Sequence, residues 1–250
     1  MRRFFIDQPV IETGSVCRLG ESDARHIRNV LRLQPGTAIR LFNNTGYQYN
    51  ARITAVTAEG VEAAVTEVLS GHNESPARIT VMQAFLKNKK MDTLVRQLTE
   101  LGMAAWQPVF TEHAVVKPDP KRLSGRISRW ETIAKEAVKQ CERDRIPEML
   151  PPVLLDEALA EIRPQDANLI FTARGGRPLA AAAAVMPEAA AATILLGPEG
   201  GFTAEEIERA ESRGFVTVSL GPRILKADTA CLAACTLVQS VFGDMGTESR

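Results

Sequence analysis

Leu195-Leu196-Gly197-Pro198-Glu199-Gly200-Gly201-Phe202-Thr203-Ala204-Glu205-Glu206 is the stretch from which the fold can be read. The apolar run 193–197 predicts a buried strand, and Thr203 with Glu206 forms a capping box for a helix that runs to Gly214. Between them, three glycines and a proline in five positions remove side-chain bulk and stiffen the turn. A flat ligand can then press against backbone amides and carbonyls, and the free amides of the helix start favour a carboxylate or phosphate. A tight turn with no ligand would use the same residues. A second stretch of the same kind follows: Ser219-Leu220-Gly221-Pro222-Arg223-Ile224-Leu225-Lys226-Ala227-Asp228-Thr229. Here a strand over 215–220 meets another Gly-Pro bend, and Asp228 or Thr229 is placed to cap a helix expected over 229–242. Read singly, Asp228 is a cap and Arg223 and Lys226 are solvated charges. Read as a pair at the carboxyl ends of parallel strands, the two loops are two walls of one pocket.

Working outward, strands over 78–85, 106–110 and 168–172 alternate with helical patterns. Met91, Leu94, Val95, Leu98 and Leu101 repeat at helical spacing up to Gly102, a natural C′ residue. Leu123, Ile127, Trp130, Ala134, Ala137 and Cys141 mark a long amphipathic helix. Strands interleaved with helices imply a mostly parallel sheet covered on both faces. The polar stretch 70–76 separates this region from a β-rich front. There, residues 38–42, 47–56 and 61–69 alternate apolar with polar side chains, and a helix is expected over 22–33. Short strands with tight turns suggest a small barrel. The expected domains are residues 1–72 and 76–250.

Of the 250 residues, 45% are hydrophobic and 24% charged, the mix of a soluble globular chain with a sizeable core. The Ala-rich run 180–185 is too short to span a bilayer, and no apolar segment follows the basic start, so the expected location is cytoplasmic. The four cysteines form no CxxC pair and the three histidines are scattered, so no metal is expected. The formal net charge is zero, which gives bulk attraction to RNA no support. Its distribution is uneven: Arg2, Arg3, Arg18, Arg25, Arg28, Arg32 and Arg40 outnumber Asp7, Glu12, Glu21 and Asp23 at the front. A second basic run is Lys87-Asn88-Lys89-Lys90. Either is a phosphate-contacting strip or a solvated face.

The two glycine loops together resemble the signature of the ribosomal small-subunit RNA methyltransferase E family, within the SPOUT superfamily. Thr99-Glu100-Leu101-Gly102, Arg129-Trp130 through Gln140-Cys141, the stretch 143–148, Arg2-Arg3-Phe4-Phe5 and His26-Ile27-Arg28-Asn29-Val30-Leu31-Arg32 resemble further family segments. The likeness spans nearly the whole chain. It implies an α/β fold: a C-terminal SPOUT, Rossmann-like parallel sheet with a deep trefoil knot, and a small N-terminal PUA-like β-barrel. It implies a homodimer that binds S-adenosylmethionine (SAM) in the knot and methylates N3 of one decoding-region uridine in 16S rRNA, free or in the small ribosomal subunit. The cofactor contacts it carries over are Phe171, Thr172, Leu196, Gly197, Gly201, Ser219, Leu220, Gly221, Ile224 and Leu225. Two departures stand out. Lys226-Ala227-Asp228-Thr229 occupies the place of a common Arg-Thr-Glu-Thr, and Glu142 that of a common turn glycine.

Uridine N3 carries a proton, so transfer needs in-line placement and a proton acceptor. Asp228 or Glu199 is expected to accept it or to orient the uracil edge. Arg223 or Lys226 would steady the developing imidate or a phosphate, and Arg2, Arg3, Arg28 and Arg32 would hold RNA. The alternatives are a SPOUT enzyme acting on a ribose 2′-hydroxyl or on tRNA, and a non-catalytic RNA-binding assembly protein, which would not bind SAM. A nucleotide hydrolase is disfavoured because the loop lacks the Gly-Lys-Ser/Thr ending of a phosphate-binding P-loop.

Overall fold

A computed structural model describes residues 1–87, 89–114, 120–186 and 189–246; Asn88 of the second basic run lies outside them. The chain forms two compact units, residues 1–74 with 135–146, and residues 75–134 with 147–250.

In the first unit, β1 (Arg3–Phe5), β2 (Val16–Arg18), β3 (Ala38–Phe42), β4 (Tyr47–Val56) and β5 (Val61–Ser70) build a curled sheet in the order β1-β3-β4-β5-β2. All its pairings are antiparallel except β1 with β3. Two register irregularities in β4–β5, at Asn50/Ala51 and Ile53/Ala55, bend the ribbon, as bulges do. The inward residues Ile39, Leu41, Ile53, Val61 and Ala63 close around Ile27 of the helical segment. That segment, expected as one helix, divides into α1 (Glu21–His26) and a π turn (Ile27–Leu31) ending at left-handed Arg32.

The last turn of the long helix and the segment after it complete this unit. Lys139 Nζ lies 2.6 Å from Asp23 Oδ1, and Lys135 stands over the Phe5 ring. Glu142 follows with φ of +64°, left-handed backbone that an L side chain resists and glycine adopts freely. Its carbonyl accepts from Arg3 and Asn73, so the conformation is held by its neighbours. Glu142→Gly therefore keeps these bonds and removes the strain. We expect it to stabilise the protein by about 0.5–1 kcal/mol, seen as a higher urea midpoint at unchanged slope. A lower midpoint would contradict this account.

The second unit holds an all-parallel sheet. Its elements are β6 (Arg78–Ala84), α2 (Lys90–Glu100), β7 (Ala105–Phe110), α3 (Pro120–Cys141, whose end enters the first unit), β8 (Glu148–Met149), β9 (Val153–Leu154) and α4 (Leu155–Ala160). These are followed by β10 (Ala167–Thr172), β11 (Arg177–Pro178), α5 (Leu179–Ala183), β12 (Ala191–Leu196), α6 (Ala204–Ser212), β13 (Val216–Ser219) and α7 (Ala227–Phe242). The strand order is β11-β13-β10-β12-β6-β7-β8, with β9 also on β7. The short elements β8, β9, β11, α4 and α5 escaped the sequence reading, being too brief to show a period. In α3, Trp130 is 1% exposed, donates from Nε1 to Asp92 of α2 and meets Trp106 edge-on, which fastens two helices to the sheet.

Gly102 has a φ of +85° just past α2, as the C′ role requires, and the Thr203–Glu206 capping box forms in both directions. The last helix corrects the expected boundary. It starts at Ala227 with Lys226 in the cap position and no side-chain cap, so neither Asp228 nor Thr229 is the cap. The Ala230 amide already bonds the Lys226 carbonyl at 2.8 Å, and the Asp228 carboxylate is engaged elsewhere. Among the described residues, no helix is long and apolar enough to cross a membrane.

Candidate functional site

Three strand ends meet at one level. Phe171 of β10 is in register with Leu196 of β12, and Thr172 with Ser219 of β13. Because all three strands are parallel, the loops that follow them leave the same edge of the sheet side by side. The chain runs β10 to β12 on one flank of β10 and then to β13 on the other, so this edge is a point where the winding reverses. Open α/β sheets place ligands there.

The loops enclose a cavity of about 690 Å³, within the range of a pocket for a small organic ligand. Phe171, Thr172, Leu196, Gly197, Gly201, Leu220, Gly221, Ile224 and Leu225 line it, as do Glu199, Arg223 and Lys226. Ser219 stands just behind, its hydroxyl accepting from the Gly221 amide at 3.2 Å and so fixing the second bend. Gly201 and Gly221 have φ of +73° and +98°, and a Cβ on either would point into open space. The absence of side chains there leaves backbone facing the cavity.

Burial supplies polar groups as well. Thr172 Oγ1 is buried in the cavity wall without a protein partner, and such an atom is costly unless something satisfies it. Gln83, fully buried at the end of β6, donates to the carbonyls of Ala84 and Gly197 at 3.0 Å and latches the first glycine loop to the sheet. Glu206 reinforces the same loop from below: its second oxygen accepts the Glu112 amide at 2.8 Å. His113 packs against Gly200, where a Cβ would come within 2.9 Å of the imidazole-bearing Cβ. A methyl group at residue 200 would push the loop off its seat.

On the rim, Lys90 Nζ lies 3.3 Å from Glu199 Oε1 and 3.1 Å from Asp228 Oδ1. Lys90 thus ties the first glycine loop to the first turn of α7. For Asp228, burial opposes ionisation, but the Lys90 contact and its own backbone hydrogen bond outweigh it and hold the carboxyl below its ordinary range. The Asp228 contact raises the Lys90 ammonium above its usual value, against the pull of burial. Both groups are charged at neutral pH.

The glycine loops, Phe202 included, stand out in the sequence, whereas Lys90, Arg174 and Ile207 of the wall do not. Gln83 carried a readable signal, a lone amide at the end of an apolar strand run. Lys90 carried only a charge in a basic run.

The arginines of the N-terminal unit are dispersed in role. Arg2 and Arg32 are exposed, and the Arg28 guanidinium donates to the carbonyls of Thr57 and Ala58. Arg3, expected at the RNA surface, is instead an interior residue with its side chain 4% exposed. Its donors bond the Glu142 and Arg143 carbonyls and Asp144, since a buried guanidinium must be paired and hydrogen-bonded. Among the described residues no cluster of His, Cys, Asp and Glu could hold a metal ion. None of the four cysteines is in a disulfide, and burial pushes the Cys231 thiol well above its ordinary value.

Residues 73–239 match the RNA methyltransferase domain family and residues 19–66 the RNA methyltransferase PUA domain. The chain is 30% identical to the ribosomal RNA small subunit methyltransferase E of Bacillus subtilis (strain 168), covering 95% of this chain and 96% of that protein. It is 32% identical to the protein of the same name from Synechocystis sp., covering 90% of this chain and 73% of the relative. Among solved structures, it is similar to a ribosomal RNA small subunit methyltransferase E from Neisseria gonorrhoeae bound to S-adenosyl methionine. That likeness has a TM-score of 0.90 at 33% identity, over 98% of this chain and 99% of the other.

Proposed function

The chain belongs to the ribosomal RNA small subunit methyltransferase E family of RNA methyltransferases, and from that premise we propose that it methylates N3 of one uridine in the decoding region of 16S rRNA. It is a SAM-dependent rRNA methyltransferase. The observation that carries the reading is the meeting of three parallel strand ends on one cavity walled by backbone.

The cavity fits the methyl donor on its own chemistry. An adenosyl group needs a flat slot with backbone donors and acceptors, which the residues around Leu196, Gly197, Leu220 and Gly221 offer. Its ribose and amino-acid polar groups need partners such as the unsatisfied Thr172 hydroxyl. Phe171, Ile224 and Leu225 supply apolar contact, and Ser219 and Gly201 shape the bends. When bound, the donor supplies an electrophilic methyl on a sulfonium.

The remaining work falls to side chains. The target base must leave its stack to reach the site. Asp228, held ionised beside Lys90, is positioned as acceptor for the N3 proton, with Glu199 orienting the uracil edge. Arg223 and Lys226 are exposed on the second loop, where a phosphate or the imidate would meet them. Arg2, Arg28 and Arg32 of the N-terminal unit contact RNA on this reading, which the matched PUA domain supports, while Arg3 is an interior residue. Residues 1–72 are the RNA-binding front and 76–250 the methyltransferase body on this reading, which the family matches over 19–66 and 73–239 support.

After β13, on the outer side of β10, the chain returns as α7 to pack on β12, β6 and α2. That return supports the expected trefoil knot, which requires in addition that the returning segment thread a loop. Leu237 and Val241 of α7 are 44% and 46% exposed, an apolar surface that a second copy would cover in a homodimer. A protein that modifies ribosomal RNA would work in the cytoplasm.

The test is nucleoside mapping of 16S rRNA by mass spectrometry, with and without the gene. The expected result is loss of one N3-methyluridine, restored by the gene. A missing ribose methyl or tRNA methyl instead would redirect the assignment, and failure to bind SAM in calorimetry would end it.

A further inference from the structure

Lys90 reaches the rim from α2, outside both glycine loops. It lines the cavity and also the groove between α2 and α7 that holds Asp228 and Thr229, and it is the one described residue common to both. An ammonium has three donors. Two point at Glu199 and Asp228, the third has no protein acceptor among the described residues, and the side chain is 30% exposed. The other charged residues lining the cavity and the groove are those two carboxylates, Lys89 at the start of α2, Arg174 after β10, and Arg223 and Lys226 on the second loop. With its proton secured by two anions, Lys90 cannot serve as a base. It is a fixed cation with one donor to give.

Arg223 and Lys226 are exposed on the second loop, whereas Lys90 is held between two carboxylates and offers the imidate a cation fixed in place. The imide N3–H is a weak acid, and Asp228 is held ionised by its partners and is therefore a weak base. Proton transfer between them is uphill unless the imidate is stabilised. Its negative charge spreads onto the two carbonyl oxygens flanking N3.

On the reading that N3 of uridine is the acceptor, we propose that Lys90 is a catalytic residue whose third N–H donates to a uracil carbonyl oxygen beside N3 and stabilises the imidate. The N3–H bond breaks, its proton passes to Asp228 and on to solvent, and its electron pair stays on the ring. That pair forms the new bond to the methyl carbon while the carbon–sulfur bond breaks and its pair returns to sulfur, leaving a neutral thioether. Glu199 and Asp228 hold Lys90 charged and aimed. A cation fixed in hydrogen-bond contact stabilises an anion better than mobile water does.

The experiment measures N3 acidity directly. A decoding-region RNA fragment carrying 5-fluorouridine at the target position is bound to the full-length protein with S-adenosylhomocysteine, which cannot transfer a methyl. Fluorine NMR follows N3 ionisation across a pH series. We expect the bound N3 pKa to fall by about one unit or more relative to free RNA, a tenfold or greater gain in acidity. Lys90→Gln abolishes most of that fall and Lys90→Arg retains it. Equal bound pKa values in wild type and Lys90→Gln overturn the proposal, as does loss of SAM binding in Lys90→Gln, which would make the lysine a strut. Should Lys90→Gln not fold, the wild-type and Lys90→Arg titrations decide: no fall relative to free RNA in the wild type overturns the proposal, and a fall that Lys90→Arg retains supports it. Product mapping separates the two levels. A methyl found elsewhere than uridine N3 defeats the functional reading, whereas a methyl on N3 with no pKa change defeats only Lys90.

Discussion

Asp144→Ala is expected to destabilise the N-terminal unit by about 3–5 kcal/mol, the range for removing one partner of a buried ion pair. Asp144 is fully buried and its Oδ1 lies 2.9 Å from Arg3 Nη2, while the Arg3 side chain is 4% exposed. Truncation leaves a guanidinium in the interior with two carbonyls and no counter-charge. Neighbouring contacts are built on the same segment. Glu74 pairs with Arg143 at 2.7 Å and accepts the amides of Asp144 and Arg145 at 2.8 and 2.9 Å. Gly71 has no room for a side chain, because a Cβ there would lie 2.2 Å from Asp144 Oδ2. Since that oxygen has no hydrogen-bond partner of its own, the pair itself is an expensive arrangement. Replacing both residues, Arg3→Met with Asp144→Leu, should accordingly recover most of the loss. Urea unfolding of the two single variants and the double variant measures this. A loss below 1 kcal/mol in Asp144→Ala, or no recovery in the double variant, would contradict the account.

Asp228→Asn is expected to lower kcat about 10²–10⁴-fold, the usual contribution of a positioned base, while SAM affinity stays close to wild type. The substitution keeps the size of the side chain and a hydrogen-bonding oxygen for Lys90, but removes the anion that accepts the proton. Asp228 is outside the cavity wall that would hold the donor, which is why binding and turnover should separate. Calorimetry with SAM and single-turnover methylation of an rRNA fragment are the two measurements. Unchanged turnover would take Asp228 out of the mechanism and leave Glu199 as the candidate acceptor. Loss of SAM binding would mean that the carboxylate acts by holding the loops together through Lys90.

The positions of the glycine loops were legible because their signal is local. A strand, a Gly-Pro bend and a capping box are each specified by residues within a few positions of one another. The capping box at Thr203 and the left-handed Gly102 appear where those local rules put them. The cap of α7 was misjudged for the complementary reason. Asp228 has the chemistry of a cap, but Lys90, far away in sequence, engages its carboxylate, and the helix starts two residues earlier than expected. Arg3 differs from its expected place for the same reason. An arginine near the start of a chain looks solvated until the 142–144 segment is seen to close over it.

The order of apolar runs and turn formers in the chain determined that a mostly parallel sheet would form and that two side-chain-poor bends would follow its strands. Hydrophobic periodicity and turn geometry are short-range constraints, readable without knowing any partner. Only the folded chain decided that β10, β12 and β13 end side by side, that a lysine from α2 stands between two carboxylates at their rim, and that an arginine is interior. Those outcomes depend on contacts between residues up to 141 positions apart. Their energies come from burial and from charges brought into reach of one another, quantities that have no value until the backbone has closed.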